Sequence, residues 1–78
     1  MNQYRILIQA PDRSGLVYKA AKIFFENNLN IISNNEFVDN EQNQFFMRTV
    51  VAGDIDAKHL NEMLAAEMPE ETNITIKL

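Results

Sequence analysis

The fold of this chain is restricted most by the spacing of its apolar residues. That spacing switches along the sequence between alternation, which is typical of strands, and intervals of three or four residues, which are typical of helices. Residues 3–10 alternate between apolar and polar side chains, which is typical of a half-buried strand. Pro11 ends this alternation, because a proline has no N–H to donate to a strand ladder. From Leu16 onward apolar residues recur every three or four positions, which predicts an amphipathic helix, and Asn27-Asn28 is suited to end it.

The remainder of the chain shows the same two spacings again. The predicted elements are a strand over 30–39, a hairpin loop over 40–43, a strand over 45–52, a helix over 55–68 and a strand over 72–78. With the first strand and helix this gives the order βαββαβ, an α+β, ferredoxin-like plan. We expect a four-stranded antiparallel sheet with strand order 4-1-3-2 and two helices on one face. The last strand is predicted to bury Ile74, Ile76 and Leu78.

Length and charge exclude several classes of protein. The 78 residues suffice for one small domain, which we place at residues 1–78. A net charge of −4 disfavours a nucleic-acid-binding protein and a basic membrane-surface helix. The sequence has no cysteine, no signal peptide and no apolar run that could span a membrane, so we expect a cytoplasmic protein. Because the sequence stops within a strand pattern, we also expect it to be a segment of a longer protein.

Residues 10–16, with the sequence APDRSGL, are the first candidate for a binding site. A plain turn is one interpretation, since Pro and Gly break regular structure and Asp12 or Ser14 can cap the following helix. A site is the other, because free N–H groups at a helix start bind anions and Arg13 suits a carboxylate. The candidate contacts for the charged ends of an amino acid, or for another protein subunit, are Asp12, Arg13, Ser14, Gly15 and Leu16.

The second candidate is the polar centre of the second predicted strand, Ser33-Asn34-Asn35-Glu36. In the predicted order this strand lies at an edge of the sheet, where polar residues protect against aggregation. Asn side chains also donate and accept hydrogen bonds at once, which suits a zwitterionic ligand. On that interpretation Asn34 and Asn35 belong to the candidate site and face the first loop of another copy.

Other proteins that share this plan fit the residues less well. A metal carrier would need paired cysteines in the first loop, and the sequence has neither these nor a metal-ligand cluster. An RNA-binding RRM would need glycines and a basic residue around Phe45 and Phe46. An acylphosphatase-like hydrolase would use a loop arginine and an asparagine, for which Arg13 and Asn34 or Asn35 give only a superficial match.

The stretch RILIQAPDRSGLV resembles the opening of ACT domains, small regulatory modules that commonly bind amino acids between paired copies. The pattern of that family is an Asp followed by Arg, a small residue and Gly before an apolar helix, and it falls on residues 12–16. The resemblance implies a homo-oligomer with an amino-acid effector, and it implies neither a nucleic-acid nor a membrane partner.

The stretch LNIISNNEFVDNEQNQFFMRT, residues 29–49, resembles the amino-terminal ACT domain of the formyltetrahydrofolate deformylase family. Its hairpin, Glu41-Gln42-Asn43-Gln44, lacks the Gly that related sequences often carry. The resemblance implies a parent hydrolase that converts 10-formyltetrahydrofolate to formate and tetrahydrofolate, for purine synthesis and one-carbon metabolism.

The catalytic residues of that enzyme would lie in a downstream formyltransferase-like domain, so none falls in these 78 residues. This segment would need no cofactor, and the tetrahydrofolate derivative would be a substrate of the downstream domain. Glycine and methionine are the candidate effectors, because one-carbon metabolism involves both. The alternatives are a free-standing ACT-domain regulator of another protein and, from a different class, the small acylphosphatase-like hydrolase.

Overall fold

The computed structural model describes residues 2–78 as six elements. The strands are β1 (Asn2–Pro11), β2 (Asn30–Asp39), β3 (Gln44–Gly53) and β4 (Asn73–Lys77), and the helices are α1 (Leu16–Glu26) and α2 (Ala57–Glu67). The sheet order is β2-β3-β1-β4 and every neighbouring pair is antiparallel. The predicted order 4-1-3-2 and the ferredoxin-like plan are therefore confirmed.

One face of the sheet is covered by the helices and forms the core. Side chains of one parity on β1 and β3 are buried there, as the alternation predicts: Tyr4, Ile6, Ile8, Ala10, Phe45, Met47, Thr49 and Val51. The helices contribute the buried residues Leu16, Ala20, Ile23, Phe24, Leu60 and Leu64. The side chains of the other parity lie on the second face of the sheet, which no helix covers, and this face is called the open face below.

Helix α1 ends where the two asparagines were expected to end it. Asn28 has a φ of 58°, the left-handed conformation that Asn tolerates better than most residues. The N–H of Leu29 donates to the carbonyl of Phe24 at 2.9 Å, and the N–H of Asn28 donates to Phe25 at 3.2 Å. These bonds satisfy the carbonyls of the last helical turn, so the chain leaves α1 directly into β2.

Helix α1 does not start as predicted. Its N-cap residue is Gly15, with a φ of 85° and no side-chain hydrogen bond, so the expectation that Asp12 or Ser14 caps the helix is wrong. The backbone turns through the left-handed conformation at Gly15, which glycine adopts without steric cost. The N–H groups of the first turn therefore have no capping side chain.

Two other boundaries also differ from the sequence predictions. Helix α2 begins at Ala57, two residues later than predicted. The backbone of Ile55 is bound instead by the buried Tyr4 hydroxyl, which donates to the Ile55 carbonyl at 2.6 Å and accepts from the Ile55 N–H at 3.4 Å. The expected burial of Leu78 is wrong, since β4 ends at Lys77 and Leu78 is 79% exposed.

The β2–β3 hairpin forms without a glycine. Asn43 has a φ of 55°, and the Asp39 carboxylate accepts hydrogen bonds from the N–H groups of Glu41 and Gln42 at 3.1 and 3.2 Å. Asn and Asp therefore supply the conformation and the hydrogen bonds that a glycine-containing turn would otherwise provide.

Strand β2 is an edge strand that stays exposed along most of its length. It pairs only with β3, and its register shifts between Ile31 and Ser33, where Ile32 forms a bulge. The polar centre of β2 consequently faces solvent rather than the core.

Candidate functional site

The first loop, residues 12–15, offers a polar surface at the start of α1. Arg13, Ser14 and Gly15 are exposed, Asp12 is half-buried, and Leu16 is buried and anchors the loop to the core. The Asp12 N–H donates to the Asn43 carbonyl at 2.9 Å, which fastens the loop to the β2–β3 hairpin. A beta carbon at Gly15 would have no atom within 4 Å, so the space above the loop is open. The loop thus combines an uncapped helix start with a cation and an anion, as an amino-acid site requires.

Asn34 lies on the helix-covered side of the sheet and is already engaged. Its Oδ1 accepts from the hydroxyl of Thr49 at 2.6 Å, and its Nδ2 donates to Glu36 at 2.7 Å. Thr49 is fully buried, so Asn34 satisfies a polar group at the margin of the core. One N–H of the Asn34 amide remains for a ligand.

Asn35 lies on the opposite face from Asn34, because consecutive residues of a strand alternate. Its partner across the ladder is Arg48 of β3, on the open face. The structure therefore places the two predicted asparagines on different sides of the sheet, and only Asn34 shares a side with α1.

The first loop and Asn34 are also far apart within one chain. Asn34 pairs with Thr49, which pairs with Ile6 of β1. Asp12 follows Ile6 by six residues, which is roughly 20 Å along an extended strand. The arrangement that an acylphosphatase-like site would need, with Arg13 beside Asn34, is not formed. Contacts between the loop and Asn34 require a second copy.

The sequence reasoning missed a depression on the open face with a volume of about 500 Å³. Its lining includes Leu7 of β1, Phe37 of β2, and Phe46 and Arg48 of β3. The rings of Phe37 and Phe46 are stacked, with centroids 4.8 Å apart and 15° between their planes. Strand alternation assigns these residues to one face, but their proximity depends on the register of three strands.

The described residues hold neither a metal-ligand cluster nor a membrane-spanning helix. No three His, Asp or Glu side chains within residues 2–78 are placed to hold a metal ion. Neither helix in the described part of the chain is long and apolar enough to cross a membrane.

Comparison with known families gives one match that covers most of the chain. The model of the ACT domain matches residues 4–67, from the first strand to the end of the second helix. The match includes the first loop and the whole of β2.

Individual relatives agree with that match. A formyltetrahydrofolate deformylase of Haemophilus influenzae is 46% identical over 68 residues, which is 87% of this chain and 24% of the relative. The crystal structure of a formyltetrahydrofolate deformylase from Pseudomonas syringae is 29% identical, has a TM-score of 0.79, and is matched over 95% of this chain and 27% of its own. An ACT domain protein from Streptococcus pneumoniae is 28% identical, with a TM-score of 0.76 over 96% of this chain and 86% of its own. The chain thus spans about a quarter of the length of the two deformylases.

Proposed function

Because the chain belongs to the ACT domain family, we propose that it is the amino-acid-sensing regulatory domain of a cytoplasmic formyltetrahydrofolate deformylase. The observation that carries this proposal is the 46% identity to the Haemophilus influenzae deformylase, over 87% of the chain. The hydrolysis of 10-formyltetrahydrofolate to formate and tetrahydrofolate belongs to a downstream catalytic domain. The domain of residues 1–78 regulates that reaction and supplies none of its catalytic groups.

The geometry of the first loop supports an amino-acid effector, with glycine and methionine as candidates. The uncapped N–H groups of α1 and the exposed Arg13 suit an α-carboxylate, while the Asp12 carboxylate suits the ammonium group. Asn34 of a second copy completes the site, since the Asn34 of the same chain lies too far away.

Pairing of two copies is supported by the surface along β2 and α1. Strand β2 has an unpaired outer edge, and Ile31 and Ile32 are 41% and 51% exposed on it. Helix α1 adds the exposed rings of Tyr18 and Phe25. A domain of this size buries only about 60% of the surface that its unfolded chain exposes, so covering these apolar side chains stabilises it further. An effector at such an interface acts by binding one arrangement of the two copies more tightly than another.

Calorimetric titration of the 78-residue chain with glycine and with methionine tests the amino-acid site. We expect saturable binding of at least one of them, and a loss of at least tenfold in affinity for Arg13→Gln, because an ion pair to the effector is removed. Lys58→Gln, on the exposed side of α2, changes the net charge equally and should leave the affinity unchanged. If neither amino acid binds, the proposed effectors are wrong. The paired site is tested separately by equilibrium sedimentation, and a monomer at high protein concentration, with and without the amino acids, would overturn it.

A free-standing regulator is the second candidate, favoured by the match to the Streptococcus pneumoniae ACT domain protein over 86% of that protein. Sequencing of the gene beyond the codon for Leu78 distinguishes the two candidates. A formyltransferase-like domain encoded in the same reading frame supports the deformylase, whereas a stop codon supports the free-standing regulator.

A further inference from the structure

The open face of the sheet is basic, although the chain as a whole carries a net charge of −4. Arg5 of β1, Arg48 of β3 and Lys77 of β4 share this face, and they are three of the seven lysines and arginines in the sequence. Arg5 pairs directly with Lys77, and Arg48 pairs with Leu7, two residues along β1 from Arg5. Arg5 therefore lies within about 8 Å of each of the other two cations, so it joins Arg48 and Lys77 in one basic strip across three strands.

Acidic side chains are almost excluded from the same face. Of the acidic residues that the structure describes, only Asp39 has a strand position with this parity, at the last residue of β2. Its carboxylate accepts the two hydrogen bonds of the hairpin turn and is directed there. No acidic side chain on the open face is therefore directed at its cations. The resulting positive charge favours an anionic ligand.

An aromatic platform lies beside one of these cations, Arg48. Phe37 is 63% exposed and stacks on Phe46, and Leu7 is 42% exposed next to them. Such an exposed planar pair stabilises a flat ring that stacks or packs against it. Phe46 and Arg48 are two residues apart on one side of β3, which separates their Cα atoms by about 7 Å.

The other open-face side chains that line the depression are neutral hydrogen-bonding groups: Gln9, Asn35, Asn73 and Thr75. An apolar floor with a few polar groups around it is the usual composition of a small-molecule site. The volume of about 500 Å³ also lies within the range of such sites.

Two larger occupants fit this face less well. A second copy placed face to face would set Arg5, Arg48 and Lys77 against the same three cations, and like charges in an interface are unfavourable. A long nucleic acid would extend past the open face onto a surface that holds most of the 11 acidic residues. A compact anion meets only the basic face.

We propose that the open face binds a planar aromatic acid, with its ring on Phe37 and Phe46 and its carboxylate on Arg48. Phe46 and Arg48 lie two residues apart on one face of β3, so a flat ring on the aromatic platform can place an attached carboxylate within reach of the guanidinium. Folates have this chemistry, since they join a ring system to a glutamate. The choice of folate as the ligand rests on the proposed function, whereas the ligand class rests on the open face alone.

Titration of the isotope-labelled chain with folic acid, followed by amide chemical shifts and calorimetry, tests the site. We expect saturable binding with shifts at Gln9, Asn35, Phe46 and Arg48 and none in the first loop. Arg48→Gln should weaken the affinity at least tenfold, and Phe37→Ala at least fivefold, because each removes one of the two contacts. The matched controls Lys58→Gln and Phe25→Ala, both exposed on the helices, should leave the affinity unchanged.

Binding of fragments of folic acid distinguishes the ring contact with Phe37 and Phe46 from the carboxylate contact with Arg48. p-Aminobenzoylglutamate should bind through both, whereas L-glutamate, which has no ring, should not bind at the open face. No shift with folic acid or p-aminobenzoylglutamate, equal binding by Arg48→Gln, or shifts confined to the first loop would each overturn the proposal. Glycine or methionine binding without folic acid binding would leave the proposed regulatory function intact and reject only the open-face site.

Discussion

The two faces of the sheet are built from the same strands but from different chemistry. On the helix-covered face the side chains of β1 and β3 are apolar and almost fully buried, with Thr49 as the one buried polar residue among residues 2–78. On the open face the same strands carry arginines, amides and partly exposed Leu and Phe side chains. The helices already remove the apolar side chains of the covered face from water. The open face leaves apolar area exposed to water, which is unfavourable unless a ligand or partner covers it.

The two faces of the sheet therefore have different roles: the covered face stabilises the fold, and the open face is available for binding. The covered face buries the apolar area that stabilises a domain of 78 residues. The open face contributes little to that burial, so its residues are free to be selected for binding. Substitutions on the two faces should therefore have different consequences, and three of them measure the contrast.

The largest effect is expected for Ile6→Ala on the covered face. Ile6 is fully buried, and its truncation leaves a cavity between the sheet and the helices, so we expect a loss of about 2–5 kcal/mol in the free energy of unfolding. The neighbouring residue Leu7 is 42% exposed on the open face, and Leu7→Ala should cost less than about 1 kcal/mol. Urea denaturation of both variants measures the difference, and equal losses would contradict the division between the faces.

An intermediate effect is expected for Tyr4→Phe, which keeps the buried ring and removes the hydroxyl. The carbonyl and the N–H of Ile55 then lose their partner, which should cost about 1–2 kcal/mol. Tyr18→Phe is the matched control, since Tyr18 is 68% exposed on α1 and should show no loss. Hydrogen exchange should show faster opening before α2 in Tyr4→Phe, and unchanged exchange there would refute the role of this hydroxyl.

The smallest effect is expected for Phe37→Ala on the open face. Phe37 is mostly exposed, so the loss of its stack on Phe46 should cost only about 0.5–1.5 kcal/mol. A double-mutant cycle with Phe46→Ala isolates the stacking contribution in thermal or urea unfolding. A loss as large as that of Ile6→Ala would show that the open face stabilises the fold to the same extent as the core.

The sequence predicted the covered face because its signals are local. The alternation in β1 and β3 and the spacing of the helical residues identified almost every buried position. Helix α1 ends at the predicted asparagines, and β2 has the predicted bounds of Asn30 and Asp39. The errors lie at element ends. Gly15 is the N-cap of α1 in place of a capping side chain, α2 begins after Ile55, whose carbonyl binds the Tyr4 hydroxyl, and Leu78 lies beyond the last residue pair of β4.

The candidate sites were predictable only in part. The first loop was identified from residue types, and its exposure agrees with a site, while its ligand stays a prediction. The adjacency of Asn34 and Asn35 in the sequence suggests one shared site, but strand alternation places the two side chains on opposite faces. The link between Asn34 and the buried Thr49 joins positions 15 residues apart, and no local pattern reveals it.

The sequence by itself determined the order of the elements, the parity of each strand and the family of the domain. These depend on periodicity and on a motif of adjacent residues, which act over a few positions of the chain. Only the tertiary structure decided that Arg48 lies beside the stacked Phe37 and Phe46, with Arg5 and Lys77 on the same face. These residues come from four strands, and the hydrogen-bond register that aligns them depends on packing of the whole sheet against its helices.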